Sequence, residues 1–452
     1  MKLMRNYQTY TQPSFLLLSA VLLIFMAPAV RFMAPISPGL MRWVLVLACS
    51  SCALMFFRKS FARFYQTRVG GGMLVFSIWC LVTVIWSEYS QLTLTKAIGQ
   101  FLVLLGVTVV SYEWASKAKI KLILDPLFAA MAMVMAAGIL GHGQAQATIG
   151  QVSLYRGLTT NPNVFGTMLA IVACLIIWRV YQSFFTRKGR VMTYAWLLAF
   201  LAVLYFLYQA GSRAAIGMFV ITLFSVLLVQ SLSRRIKLIS IVFIILFLVL
   251  FAYPSVYIEV VDRLVYKTTD ELAMSSNRDI LYTREEPWEE SYKAAIAGGI
   301  LGVGYGVHYG AERTLSESAI TSVGYGREKG NSQMAVIEEV GWVGLSIYFL
   351  ALIAWFKAML RSLKYARNQH EKTLIGIIVG GVLGVNFQSV FEQWWVSPGS
   401  QEYAFLAAFL AMGMAVQKRM TIRKKYFTNA TELPAIGSKV TLTRYVGSDY
   451  SP

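Results

Sequence analysis

Long uninterrupted apolar runs alternate along the chain with short polar connections, many of them basic. The runs fall at about 14–33, 39–57, 70–86, 97–114, 122–140, 163–181, 192–210, 214–231, 238–254, 335–357, 373–391 and 403–417. Each is close to the ~20 residues a helix needs to cross ~30 Å of hydrocarbon. A spanning segment must satisfy its own backbone hydrogen bonds, and these runs are continuously apolar instead of alternating, so helices are expected and a barrel is not. The pattern predicts an all-α integral membrane protein of about twelve transmembrane helices.

Four regions follow: nine spans over 1–254, a long loop over 255–334, three spans over 335–417, and a basic tail over 418–452. Inside the long loop, "REEPWEESYKAAIAGG" predicts an amphipathic helix from about Glu285 to Gly298 and Gly299, where a cap or lid is expected. The tail after Lys425 holds Pro, Ser, Thr and Gly with little apolar content and is expected to be disordered.

Composition agrees with this picture, since 57% of the 452 residues are hydrophobic, 14% are charged and the mean hydropathy is +0.58. The net charge of +19 raises the question of nucleic acid, but its placement answers to topology. With the N-terminus inside, "RKSFARFYQTR", "KAKIK", "TRKGR", "SRRIK", "RSLKYARNQHEK" and the start of the tail, "KRMTIRKK", all lie on the cytoplasmic side. No nucleic-acid partner is expected, and both termini are expected in the cytoplasm. The outward connections are then "SEYSQ", the stretch around Arg156, the short "GSR" at 211–213, the long loop and "EQWWVSPGSQE". The four cysteines (Cys49, Cys52, Cys80 and Cys174) fall within or beside apolar runs, so neither a disulfide framework nor a zinc site is encoded. The first run lacks a small-residue cleavage site and reads as an anchor.

Outward arginines break the positive-inside bias: Arg156, Arg213, Arg278 and Arg313. Arg213, in "YQAGSRAAIGMF", sits where one helix emerges and the next begins. A guanidinium at that depth either snorkels to headgroups, pairs with a carboxylate, or binds an anion in a polar cavity, and its planar fork matches phosphate. Nearby, Asn161-Pro162-Asn163 has the chemistry of a helix start, with a capping side chain followed by a proline of fixed φ. His308, in "GVGYGVHYG", is the outward histidine and a candidate base, or an incidental loop residue. The surrounding Gly302-x-Gly304-x-Gly306 has no strand-turn-helix context, and no phosphate-loop motif exists in the chain. Glu338 and Glu339 are candidate bases or helix-capping carboxylates. Trp394 and Trp395 suit an interfacial belt or stacking on sugar rings.

These segments resemble the superfamily of O-antigen ligases and Wzy-type polymerases of bacterial polysaccharide assembly. The stretches that carry it are "VIWSEYSQLTLTKAI" (84–98), "YRGLTTNPNVFG", "GSRAA", "SSNRDI", "GGILGVGYG" and "KGNSQMAVIEEVGWVGL", in that order, with one long outward loop before the last spans. The resemblance implies a GT-C-type glycosyltransferase of the bacterial inner membrane. It would need no metal or cofactor and take an undecaprenyl pyrophosphate-linked glycan as donor at the periplasmic face. It implies pyrophosphate contacts for Arg156, Arg213 and Arg278, and substrate contacts for Asn331, Trp394 and Trp395. Ligases carry a histidine before the asparagine at the end of the long loop, whereas here the stretch reads Lys329-Gly330-Asn331-Ser332. That departure favours a polymerase acting on a second saccharide, a chain-length regulator being a further partner, over a ligase using lipid A-core. A flippase is the alternative of another class, although matched repeats and charges deep in several helices, features expected of a transporter, are not seen.

Overall fold

The computed structural model describes residues 12–30, 39–140, 146–149, 152–157, 159, 161–185, 190–236, 282–309, 330–392, 394–395 and 397–432. The expected span at 238–254, Arg278 and Arg313 lie outside these residues. The described chain is almost wholly helical, with one two-stranded antiparallel hairpin (β1 Gln146–Ile149, β2 Val152–Tyr155). The helices are α1 Pro13–Met26, α2 Gly39–Phe56, α3 Arg58–Tyr65, α4 Arg68–Val82, α5 Ser90–Val103, α6 Val109–Lys117, α7 Asp125–Leu140, α8 Pro162–Phe185 and α9 Arg190–Ala210. They continue with α10 Arg213–Leu228, α11 Tyr282–Gly298, α12 Ser332–Tyr365, α13 Gln369–Gln388 and α14 Gln401–Glu432.

Every expected run among the described residues falls on helix. By length and composition, six helical stretches among the described residues are able to cross a membrane, or seven if the sharply bent pair α2–α3 is one span. The expectation of about twelve is larger because α1, α7 and α10 have 14, 16 and 16 residues, short of the ~20 a perpendicular crossing requires, because α13, though 20 residues long, is diluted by polar residues at both ends, and because the expected span at 238–254 lies outside the described residues. The last helix runs on to Glu432, past the expected end of the span near 417, so the first residues of the tail expected to be disordered are helical instead.

Contacts sort the connections into two ends. At the basic end, Arg179 pairs with Asp125 at 2.7 Å, and Arg419 donates to the carbonyls of Ala115 and Ala118 at 3.0 and 2.6 Å. Glu113 accepts from Ser60 and pairs with Lys117 there. The core between the ends is apolar, with Trp178, Tyr348 and Trp355 fully buried.

One break in the helices organises the opposite end. Gly341 interrupts α12 with φ 72°, and a Cβ there would fall 1.9 Å from the Ile300 carbonyl oxygen. A helix break orphans amides and carbonyls, which must find partners when buried. The glycine-rich stretch after α11 supplies them. The amides of Val303 and Gly304 donate to the carbonyls of Glu338 and Glu339 at 2.9 and 3.0 Å, while those of Trp342 and Val343 reach the carbonyls of Gly299 and Ile300 at 3.4 and 3.3 Å. Gly299, Gly302, Gly304 and Gly306 all have positive φ, which is why this loop needs glycine.

Candidate functional site

At the end away from the basic clusters, the start of α8 is built around its Asn-Pro-Asn. The Asn161 side-chain oxygen accepts from the Asn163 amide at 2.8 Å, with Pro162 at the first helical position, as the sequence predicts. Thr159 ties back to the Arg156 carbonyl through its amide at 3.0 Å and its hydroxyl at 2.6 Å. Gly157 turns the chain at φ 55° over the Phe165 ring. Arg156 thus leaves a fixed backbone, half-buried, its Nε enclosed and without a hydrogen-bond acceptor among the described residues.

Arg213 opens α10 after Gly211, which has φ 61°. A Cβ on Gly166 would come within 2.6 Å of the Ser212 Cβ, so the absence of a side chain at 166 lets the starts of α8 and α10 meet. The helix that follows Arg156 and the helix that Arg213 opens are joined at that point.

A third arginine, which the sequence reading passed over, is nearby. Arg284, from the first turn of α11, pairs with Glu392 at 3.1 Å, and the same carboxylate oxygen accepts from the Asn163 side chain at 3.2 Å. Glu392, 31% exposed, therefore links the Asn-Pro-Asn turn, the loop helix and the segment after α13. That segment is itself tied down. Ser332 donates to the Glu392 carbonyl at 2.7 Å, and the Asn331 side-chain nitrogen donates to the Val390 carbonyl at 3.1 Å.

The remaining sequence candidates are structurally engaged. Asn331 caps α12, its oxygen accepting from the amides of Gln333 and Met334 at 2.8 and 3.0 Å. Glu338 and Glu339 are buried and accept from the amides of Tyr309 and Gly306 at 2.7 and 2.6 Å, which anchors the glycine-rich loop. His308, 7% exposed, sits on that anchored loop, which also accepts hydrogen bonds from Trp86 and Lys96. Trp394 and Trp395 are 2% and 1% exposed, so neither ring face is open for a sugar to stack on in this conformation. Of the nine sequence candidates, Arg156 precedes α8 and Arg213 opens α10, the two helices that meet at Gly166 and Ser212, whereas Asn331, Glu338 and Glu339 cap a helix or anchor the glycine-rich loop; Arg278 lies outside the described residues. An acidic residue directly after an outward-ending apolar run, as in "FEQWW", was the available signal for Glu392.

At this end the Arg284 guanidinium pairs with the part-exposed Glu392 carboxylate, while Arg156 and Arg213 border the helix starts that meet at Gly166, and a guanidinium fork is suited to a phosphate-bearing partner. Neither a known protein family nor any curated protein matches the chain.

Proposed function

We propose that this chain is a polysaccharide polymerase of the bacterial inner membrane, with twelve spans and a GT-C-like arrangement. It transfers a glycan from an undecaprenyl pyrophosphate-linked donor to a hydroxyl of a second lipid-linked repeat unit at the periplasmic face. The observation that carries the reading is the meeting, at Gly166, of the helix that follows Arg156 and the helix that Arg213 opens, at the end opposite the basic clusters. The order of the sequence motifs supports it as well.

In this reaction the acceptor oxygen bonds to the anomeric carbon as the bond from that carbon to the pyrophosphate breaks. The electron pair stays on the leaving pyrophosphate, where Arg156 and Arg213 stabilise it, and the anomeric centre inverts. The hydroxyl proton passes to solvent or to Glu392, which is more open than Glu338 and Glu339. The donor is already activated by its pyrophosphate, so no nucleotide is consumed.

Purified protein reconstituted with pyrophosphate-linked repeat units, its products resolved on a gel, tests this reading. The expected result is a ladder of longer lipid-linked glycans, reduced by about 10²–10³ in rate by Arg213→Ala or Arg156→Ala. Transfer only when lipid A-core is added would replace polymerase with ligase. If active substrate yields neither product, a flippase becomes the better account.

A further inference from the structure

Arg42, near the start of α2, is 6% exposed. Its guanidinium lies against the backbone of the turn before α14: a Cβ on Gly399 would be 2.7 Å from Nη2. On the other side it faces the Trp43 ring, 5.2 Å from the centroid, and Trp43 is itself closed over Gly99. The Nε is enclosed without an acceptor, and among the described residues Arg42 has neither a hydrogen bond nor an ion pair. The turn it touches carries two more enclosed donors without acceptors, the indole nitrogens of Trp394 and Trp395.

Donors without acceptors in a buried place are costly, and a guanidinium does not escape by losing its proton. A buried guanidinium without an acceptor, lying against this turn, calls for an acceptor-rich anion. A carboxylate offers two oxygens, whereas a phosphate group offers three or four and matches the guanidinium fork.

We propose that Arg42, covered by Gly399 and flanked by the turn of Trp394 and Trp395, binds a phosphate group, supplied either by a phospholipid headgroup or by free phosphate. The site is on a different helix from Arg156 and Arg213 and rests on no part of the transferase reading. Its role is to hold the start of α2 against the α13–α14 turn, so the bound phosphate acts as a structural clasp at this end of the bundle.

The full chain in a neutral detergent, washed free of lipid, is followed by thermal unfolding during titration with inorganic phosphate at constant ionic strength, and separately with phosphatidylglycerol in the micelles. A saturable rise in Tm of several degrees is expected with at least one of them, because a ligand of the folded state alone stabilises by mass action. A rise with both assigns the site to phosphate in general, and a rise with the lipid alone assigns it to a headgroup. Arg42→Met is expected to unfold no lower than the lipid-free wild type, since it removes an uncompensated buried charge, and to lose the ligand response. Gly399→Ala keeps the charge but crowds it, and is expected to weaken the response. No saturable rise in wild type with either ligand, or an undiminished rise in Arg42→Met, would overturn the proposal.

Discussion

Single residues at this end are defined less by their chemistry than by what they meet. Glu338 and Glu339 have the composition of a catalytic pair, yet each accepts a backbone amide of the loop packed on the Gly341 break. Nothing in "VIEEVGWVG" distinguishes that from a continuous helix with a solvated face, because the break exists only where the glycine-rich loop supplies the missing hydrogen bonds. Gly341→Ala tests this directly. A side chain at φ 72° costs ~1–3 kcal/mol in strain alone, and the added Cβ also collides with the Ile300 carbonyl. The expected result is a Tm several degrees below wild type in detergent. An unchanged Tm would mean that the break is dispensable.

Among elements, the bundle is fastened where helix ends cross. At the basic end, Asn368 caps α13 by accepting from the Glu371 amide at 2.9 Å, and the Glu371 carboxylate takes a two-pronged pair from Arg423 of α14. Burial alone would raise the pKa of Glu371, but hydrogen bonds from Arg423 and from the Arg367 amide outweigh it and hold the carboxyl below its ordinary range. The folded pKa is depressed, so this stabilisation is complete above the unfolded value of ~4.3 and is lost as pH falls through the folded value. Glu371→Gln leaves the Arg423 charge poorly compensated and is expected to cost about 3 kcal/mol near neutral pH. It should also remove part of the acid-side fall in Tm. A variant whose Tm tracks wild type from pH 7 down to acid would show that the pair does not fasten the helices. One helix start was legible from sequence, that at Asn161, which caps as expected; Asn331, expected to contact substrate, and Asn368 also cap the helices they precede.

At the level of the whole molecule, orientation is the main expectation still to be measured. In a variant without native cysteines, Tyr292→Cys on the exposed face of α11 is expected to react with a membrane-impermeant thiol reagent from outside the cytoplasmic membrane, and Lys59→Cys on α3 only after permeabilisation. The reverse pattern would invert the topology and place Arg156 and Arg213 on the cytoplasmic side. By itself the sequence determined where the helices lie and which connections share an end, because apolar length and basic clustering act locally along the chain. It also determined the helix in the long loop, observed at Tyr282–Gly298 against an expected start near Glu285. The tertiary structure alone decided which side chains meet. Glu392 joins Asn163 across 229 positions and Arg284 across 108, and Arg42 rests on Gly399. Such pairings depend on which helix faces turn toward one another, and runs apolar on every face leave no periodic stripe from which that choice can be read.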